Sequence, residues 1–236
     1  MITTTQKRSG WLEALGFLAP ALMIAGPLLA WMRRIPGLPG FGLYALGGLL
    51  AVAVAASTLV ASARSRPYGL GRSLSLPAAM AFLISLSGGF GKPRINDFTT
   101  NPTDPPAFAK AASLPANAGR AMGYPADWAA LQAECCADLR PARLQTGPVA
   151  AFAAARKAAE RMPGWEVVGL DESNGTIEAV ATSTVFGFQD DVAIRVRPDG
   201  ASSVVDVRSK SRDGKGDLGA NAERIRQYVA VVETAR

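Results

Sequence analysis

Histidine is absent from the 236 residues of the chain. That removes Ser-His-Asp and Cys-His catalysis, and it removes the commonest metal ligand. Any general base has to be a carboxylate, a lysine or a tyrosine. Cysteine is nearly as scarce: Cys135 and Cys136 are the only two, and they are adjacent. Adjacent thiols cannot supply C-x-x-C zinc spacing. Disulfide geometry disfavours a bond between neighbours, so two free, partly buried thiols are expected. No metal site and no cofactor is expected. Basic residues never run longer than two, and no basic stripe carries interleaved aromatics. A nucleic-acid partner is therefore excluded despite a net charge of +6 and a pI near 9.7.

Apolar residues are abundant, at 49%, and unevenly spread. They crowd into the first ninety positions, which read as a membrane region over 1–91. Residues 11–31 are long enough to cross a bilayer as a helix, with Trp11 and Trp31 placed as interfacial anchors. Pro20 and Pro27 are better tolerated in a membrane helix than in a soluble one. Residues 41–62 carry no charge and form a second span. Residues 73–90, with Pro77 and four serines, are at the lower limit for a third. The lipid bilayer is thus the first expected partner. Lys7, Arg8, Arg64, Arg66 and Arg72 would share one side, against Arg33, Arg34, Lys92 and Arg94 on the other. This count of five to four favours an inside N-terminus and puts everything after residue 92 outside.

Residues 92–138 are rich in Pro, Asn, Thr and Asp and show no sustained period. They read as a stiff, Pro-rich tether, with room for a short helix near residues 125–139. From 139 to 236 the pattern is globular. "ADLRPARL" suits a short strand. "TGPVAAFAAARKAAERMPG" predicts a helix, with Thr146 as N-cap and Val149, Phe152, Ala159 and Met162 as its apolar stripe. Strands are expected over 165–170, 175–184, 189–197 and 203–209, separated by short turns and so antiparallel. Val192, Ile194 and Val196 should face one way, and Asp191, Arg195 and Arg197 the other. Val205 and Val207 should be internal, with Asp206 and Arg208 on the charged, solvated face. A last helix carries Leu218, Ala222, Ile225, Val229 and Val232, with Asp217 as its N-cap. The fold class is α+β: N-terminal transmembrane helices, then a two-layer domain of antiparallel four- to five-stranded sheet covered by two helices.

The densest polar stretch is "RSKSRDGKGDLGANAERIRQY", residues 208–228. Gly214, Gly216 and Gly219 spell G-x-G-x-x-G. A dinucleotide fingerprint needs a parallel βαβ unit, with a second strand after the helix. Seventeen residues follow Gly219, which leaves room for one helix, and the preceding strand belongs to a hairpin series. No G-K-[ST] closes a P-loop either. The stretch instead joins Arg208, Ser209, Ser211 and Arg212 to a helix start at Asp217, Asn221 and Arg224, beside Asp190 and Asp191 of the neighbouring strand. These nine residues form either buried ion pairs that fix the loop or an anion site for phosphate or carboxylate. A hydrolytic pair of Asp190 and Asp191 is weakened because adjacent strand residues point to opposite faces. No catalytic residue is assigned.

The same residues carry a resemblance. "FQDDVAIRV" and "VVDVRSKSRDGKGDLGANAERI" resemble the signature of the family called domain of unknown function 1499: an Asp-Asp-Val strand, an Arg-Ser-x-Ser-Arg strand end, a Gly-x-x-Asp-x-Gly-x-Asn loop and an Arg-Ile helix start. The matching positions are Asp190, Asp191, Val192, Arg208, Ser209, Ser211, Arg212, Gly214, Asp217, Gly219, Asn221, Arg224 and Ile225. "INDFTTNPTDPP" is similar to members with membrane spans before the domain, with Asn96 standing where they are expected to have histidine. The resemblance implies a bacterial, membrane-anchored protein and no particular activity. The chain therefore reads as a multi-pass inner-membrane protein with a periplasmic binding or accessory module serving a membrane protein complex. The alternative is an enzyme or binding protein for an anionic envelope metabolite or lipid headgroup.

Overall fold

The computed structural model describes residues 10–87, 89 and 93–234. Lys7, Arg8 and Lys92 of the charge count, and the end of the expected third span at 88 and 90, lie outside these. The chain divides into two units: residues 1–88 with 184–187, and the remainder.

The first unit holds three helices, α1 (Gly10–Trp31), α2 (Gly37–Ala63) and α3 (Leu70–Ser87). Each is long and apolar enough to cross a membrane. They pack through small residues that let backbones approach. A methyl group at Gly47 would lie 2.6 Å from the Ala19 carbonyl oxygen, and one at Gly48 would strike the Phe82 ring. Polar groups are satisfied at the helix ends. The Glu13 carboxylate accepts from the N–H groups of Gly69 (2.6 Å) and Arg72 (3.2 Å) at the start of α3, where orphan donors and the helix dipole favour an acid. Buried Arg72 donates to the Ser57 carbonyl near the end of α2 at 2.7 Å. Residues Thr184–Gly187 belong to this unit: the Phe186 ring lies edge-on to Phe41 at 5.5 Å and tilted to Tyr44 at 6.4 Å.

The second unit is an α+β domain. Its antiparallel sheet has six strands: β1 (Asp97–Thr99), β2 (Ala142–Leu144), β3 (Trp165–Asp171), β4 (Thr176–Thr182), β5 (Gln189–Asp199) and β6 (Ser202–Ser211). The order is β1-β6-β5-β4-β3, and β2 also pairs with β6. β1 and β2 therefore share one flank of β6, β1 against residues 208–210 and β2 against 203–205. Three helices complete the unit: α4 (Trp128–Cys136), α5 (Pro148–Arg161) and α6 (Ala220–Thr234). Helices α5 and α6 cover one face of the sheet, over a core that includes Val192, Ile194, Val196, Val205 and Val207. Trp165 stacks on Tyr228 at 5.4 Å, and the Tyr228 hydroxyl donates to the Ala155 carbonyl at 2.9 Å.

Four expectations are corrected. The sheet gains a sixth strand because residues 93–138, read as a tether, fold against it: Ile95 and Phe98 enter the core, and Gln132 of α4 holds both the N–H and the carbonyl of Thr99. Helix α5 starts after Gly147 without a side-chain cap, Val149 is exposed, and the buried stripe is Ala151, Phe152, Ala155, Ala158 and Ala159. The Thr146 carbonyl instead accepts the Ser203 hydroxyl. Leu218 precedes α6 and points outward at φ 55°, so the apolar stripe of that helix starts at Ala222. Cys135 and Cys136 are joined to each other at the last turn of α4, not free.

Candidate functional site

Strand alternation splits the polar motif across the sheet. On the face beneath α6 lie Asp190, Ser209 and Ser211. Asn221 reaches down to them: its Oδ1 accepts from the Ser209 hydroxyl at 2.6 Å, and its Nδ2 donates to Ser211 Oγ at 2.8 Å. Arg224 donates to Asn221 Oδ1 and Ser209 Oγ and forms an ion pair with Asp190. Asp217 sets the helix start, its carboxylate accepting from the N–H groups of Gly219 (2.9 Å) and Asn221 (2.6 Å). This satisfies donors that an α-helix leaves orphaned.

On the opposite face lie Asp191, Arg208 and Arg212, together with Asp206 and Lys210. Here the expected solvated surface is replaced by a covered one: Asp191 and Asp206 are fully buried, and Arg208 is 2% exposed. Arg212 holds Asp191 through Nε and an Nη at 2.6–3.1 Å. Asn117 donates to the other side of Asp191 at 2.9 Å. Arg208 grips Asp97 of β1 with two parallel bonds of 2.9 and 2.7 Å. Lys210 shares the same carboxylate at 3.1 Å. The Arg208 guanidinium lies 4.6 Å from the Phe108 ring centroid and donates to the carbonyls of Pro106 and Met122. Asp206 takes Arg195 and Arg197, and Glu178 accepts the N–H groups of Ala109, Lys110 and Ala111.

The nine motif residues thus form two networks separated by the sheet. Asp190 pairs with Arg224, and Asp191 with Arg212, so the two acids do not share a site. Sequence reasoning missed Asp97, Lys210, Asn117, Asp206 and Glu178 as members. The signal for Lys210 was present, since Asp206, Arg208, Lys210 and Arg212 alternate along one strand face. Asp97, the counter-ion of Arg208 and Lys210, lies more than a hundred residues away, in the segment read as a tether. Among the described residues, no group of three or more Cys, Asp or Glu could hold a metal ion.

Burial also shapes two tyrosines. Burial, and then the nearby Asp97 carboxylate, push the Tyr124 phenol up to about 12. Burial pushes that of Tyr228 up as well. An unfolded tyrosine ionises near pH 10. The stabilisation tied to the neutral phenols is therefore full below about pH 10 and lost as pH rises toward 12 and beyond. Alkaline titration followed at 295 nm should show both phenols ionising late, that of Tyr124 near pH 12 and that of Tyr228 only together with unfolding. Tyr124→Phe should remove one phenol from that late step.

A six-stranded antiparallel sheet with helices on one face and a folded N-terminal segment on the other, preceded by three apolar helices, defines the class. The family model described as a protein of unknown function, DUF1499, matches residues 97–232. The chain belongs to that family. The match begins at Asp97, the first residue of β1, so the family unit includes the segment that covers the charged face. No curated protein matches the chain.

Proposed function

We propose that the chain is a multi-pass protein of the bacterial inner membrane whose α+β domain is a periplasmic binding or accessory module. One observation carries this reading: Arg208, Arg212 and Arg224 are each paired with an internal carboxylate on largely buried side chains. Such pairs set geometry at a desolvation cost, and the motif's polarity is consumed in building the domain. Recognition then falls to the outer surface. Three apolar helices support membrane attachment, and the five-to-four distribution of flanking cations supports an outside domain. An anion site in the motif would require Arg208 or Arg212 to leave its carboxylate.

The test is purification from native membranes in a mild detergent, followed by mass spectrometry of what remains bound. A stoichiometric protein partner is the expected result. A lone chain retaining a phosphate-bearing lipid or metabolite, lost on Arg212→Gln, would overturn the reading in favour of an anion site.

A further inference from the structure

The helical unit carries an open apolar groove between α2 and α3, with a volume of about 540 Å³. Its floor is alanine. Ala55 and Ala79 are buried between the two helices, and exposed Ala56 lies beside them. Its walls are large apolar side chains: Leu59 on α2, with Met80 and Leu83 on α3, all exposed. The hydroxyl in the lining, that of Ser87, donates to the Ile84 carbonyl at 2.7 Å, so its proton is committed within α3.

The groove has a polar end. Tyr44 meets Ser85, Gly48 meets Phe82 and Thr58 meets Arg72, so α2 and α3 run antiparallel. The groove therefore starts at Leu59 and Leu76, next to the connection between the helices, and runs along α3 to Ser87. That is about 16 Å of helix at a rise of about 1.5 Å per residue. Arg64 caps the end of α2, and Arg66 follows it in the connection. Both are exposed, and among the described residues neither is paired with a carboxylate. Glu13, the acid at this end, is held by the N–H groups of Gly69 and Arg72 instead.

An apolar trough with unpaired cations at one end complements a molecule with a hydrocarbon tail and an anionic head. In a membrane-spanning helix the termini lie at headgroup level and the middle lies among acyl chains. Basic residues at that level attract anionic headgroups. A second helix fits the trough less well. It is about 10–12 Å across with its side chains, and helices approach closely in a membrane only where small residues meet. Here the alanines lie between Leu59, Met80 and Leu83, which hold a helix off the floor. A hydrocarbon chain is thinner and reaches it.

We propose that the α2–α3 groove binds one anionic diacyl phospholipid, with an acyl chain on Ala55, Ala56 and Ala79 and the phosphate-bearing head at Arg64 and Arg66. The inference rests on the reading of α1–α3 as membrane-spanning. Flotation of the full chain with vesicles of phosphatidylglycerol and phosphatidylcholine is therefore measured first, and a chain that does not float overturns that reading. The full chain is then equilibrated in mixed micelles holding equal amounts of the two lipids with identical tails, and bound lipid is read by native mass spectrometry. One retained phosphatidylglycerol per chain is the expected result. Arg64→Gln with Arg66→Gln should lower the retention of phosphatidylglycerol relative to phosphatidylcholine about 25-fold, or about fivefold for each arginine. Ala56→Phe, which fills the trough from an exposed position, should abolish retention with both arginines in place. Far-UV circular dichroism checks that each variant keeps its helices. Equal retention of the two lipids by the unmodified chain would sink the proposal, as would either substitution leaving retention unchanged. A dimer that holds no lipid and dissociates on Ala56→Phe would also overturn it, because the groove would then seat a helix of a second copy.

Discussion

Asp97→Ala is expected to destabilise the domain by about 3–5 kcal/mol, the usual cost of removing one partner from a buried ion pair. The side chains of Asp97 and Arg208 are 0% and 3% exposed, and Lys210, also nearly buried, depends on the same carboxylate. The substitution strands two cations under a covering segment that still excludes water. Arg208→Met in the same background should recover part of the loss, because it removes one stranded charge and retains an apolar chain against Phe108. The measurement is denaturant unfolding of the full chain in mild detergent, followed by the near-UV signal of Trp165 and Tyr228. A double-mutant cycle isolates the coupling between the two positions. A loss below about 1 kcal/mol, the range of exposed pairs, would mean that water reaches the charged face. Arg208 would then be available to an anion.

Much of this architecture was legible because the domain's hairpins are local. β3 through β6 follow one another with short turns, and period-two alternation placed Val192, Ile194 and Val196 correctly opposite Asp191, Arg195 and Arg197. The three apolar helices were legible from length and scarcity of charge. The Asp190 and Asp191 pair was legible as divided, since adjacent strand residues face opposite ways. Partners that come from far along the chain were not legible. β1 has three residues, too short to show alternation, and its neighbours Pro, Asn and Thr read as a linker. Its identity as a strand depends on β6, to which it pairs across more than a hundred residues. The charged face therefore looked solvated, when it is a second buried layer with its acids supplied in part by that strand. Leu218 was misplaced for a related reason. Its spacing fits the α6 stripe, and only its backbone conformation takes it out.

The boundary of the folding unit gives the other large expected effect. A chain beginning at residue 139 is expected not to unfold cooperatively, whereas one beginning at residue 93 is. Electrostatics are not the reason. Removing residues 93–138 opens the charged face to water, so Asp191, Arg208 and Lys210 become hydrated instead of stranded. The loss lies on the other side of the sheet and along its edge. Phe98 and Ile95 are each 1% exposed in the core, and truncating side chains of these types costs about 3–5 and 2–5 kcal/mol. β6 also loses the partner along its second half and becomes an open edge there. The sum is on the order of the whole stability of an ordinary domain, about 5–15 kcal/mol. Thermal unfolding of the two fragments by circular dichroism distinguishes the outcomes. A sharp transition in the shorter fragment would make the segment a removable cover over a self-sufficient sheet, free to lift from Arg208 and Arg212. No transition would make it part of the core, and the motif's arginines would then be fixed elements of the fold, unavailable to any ligand without unfolding.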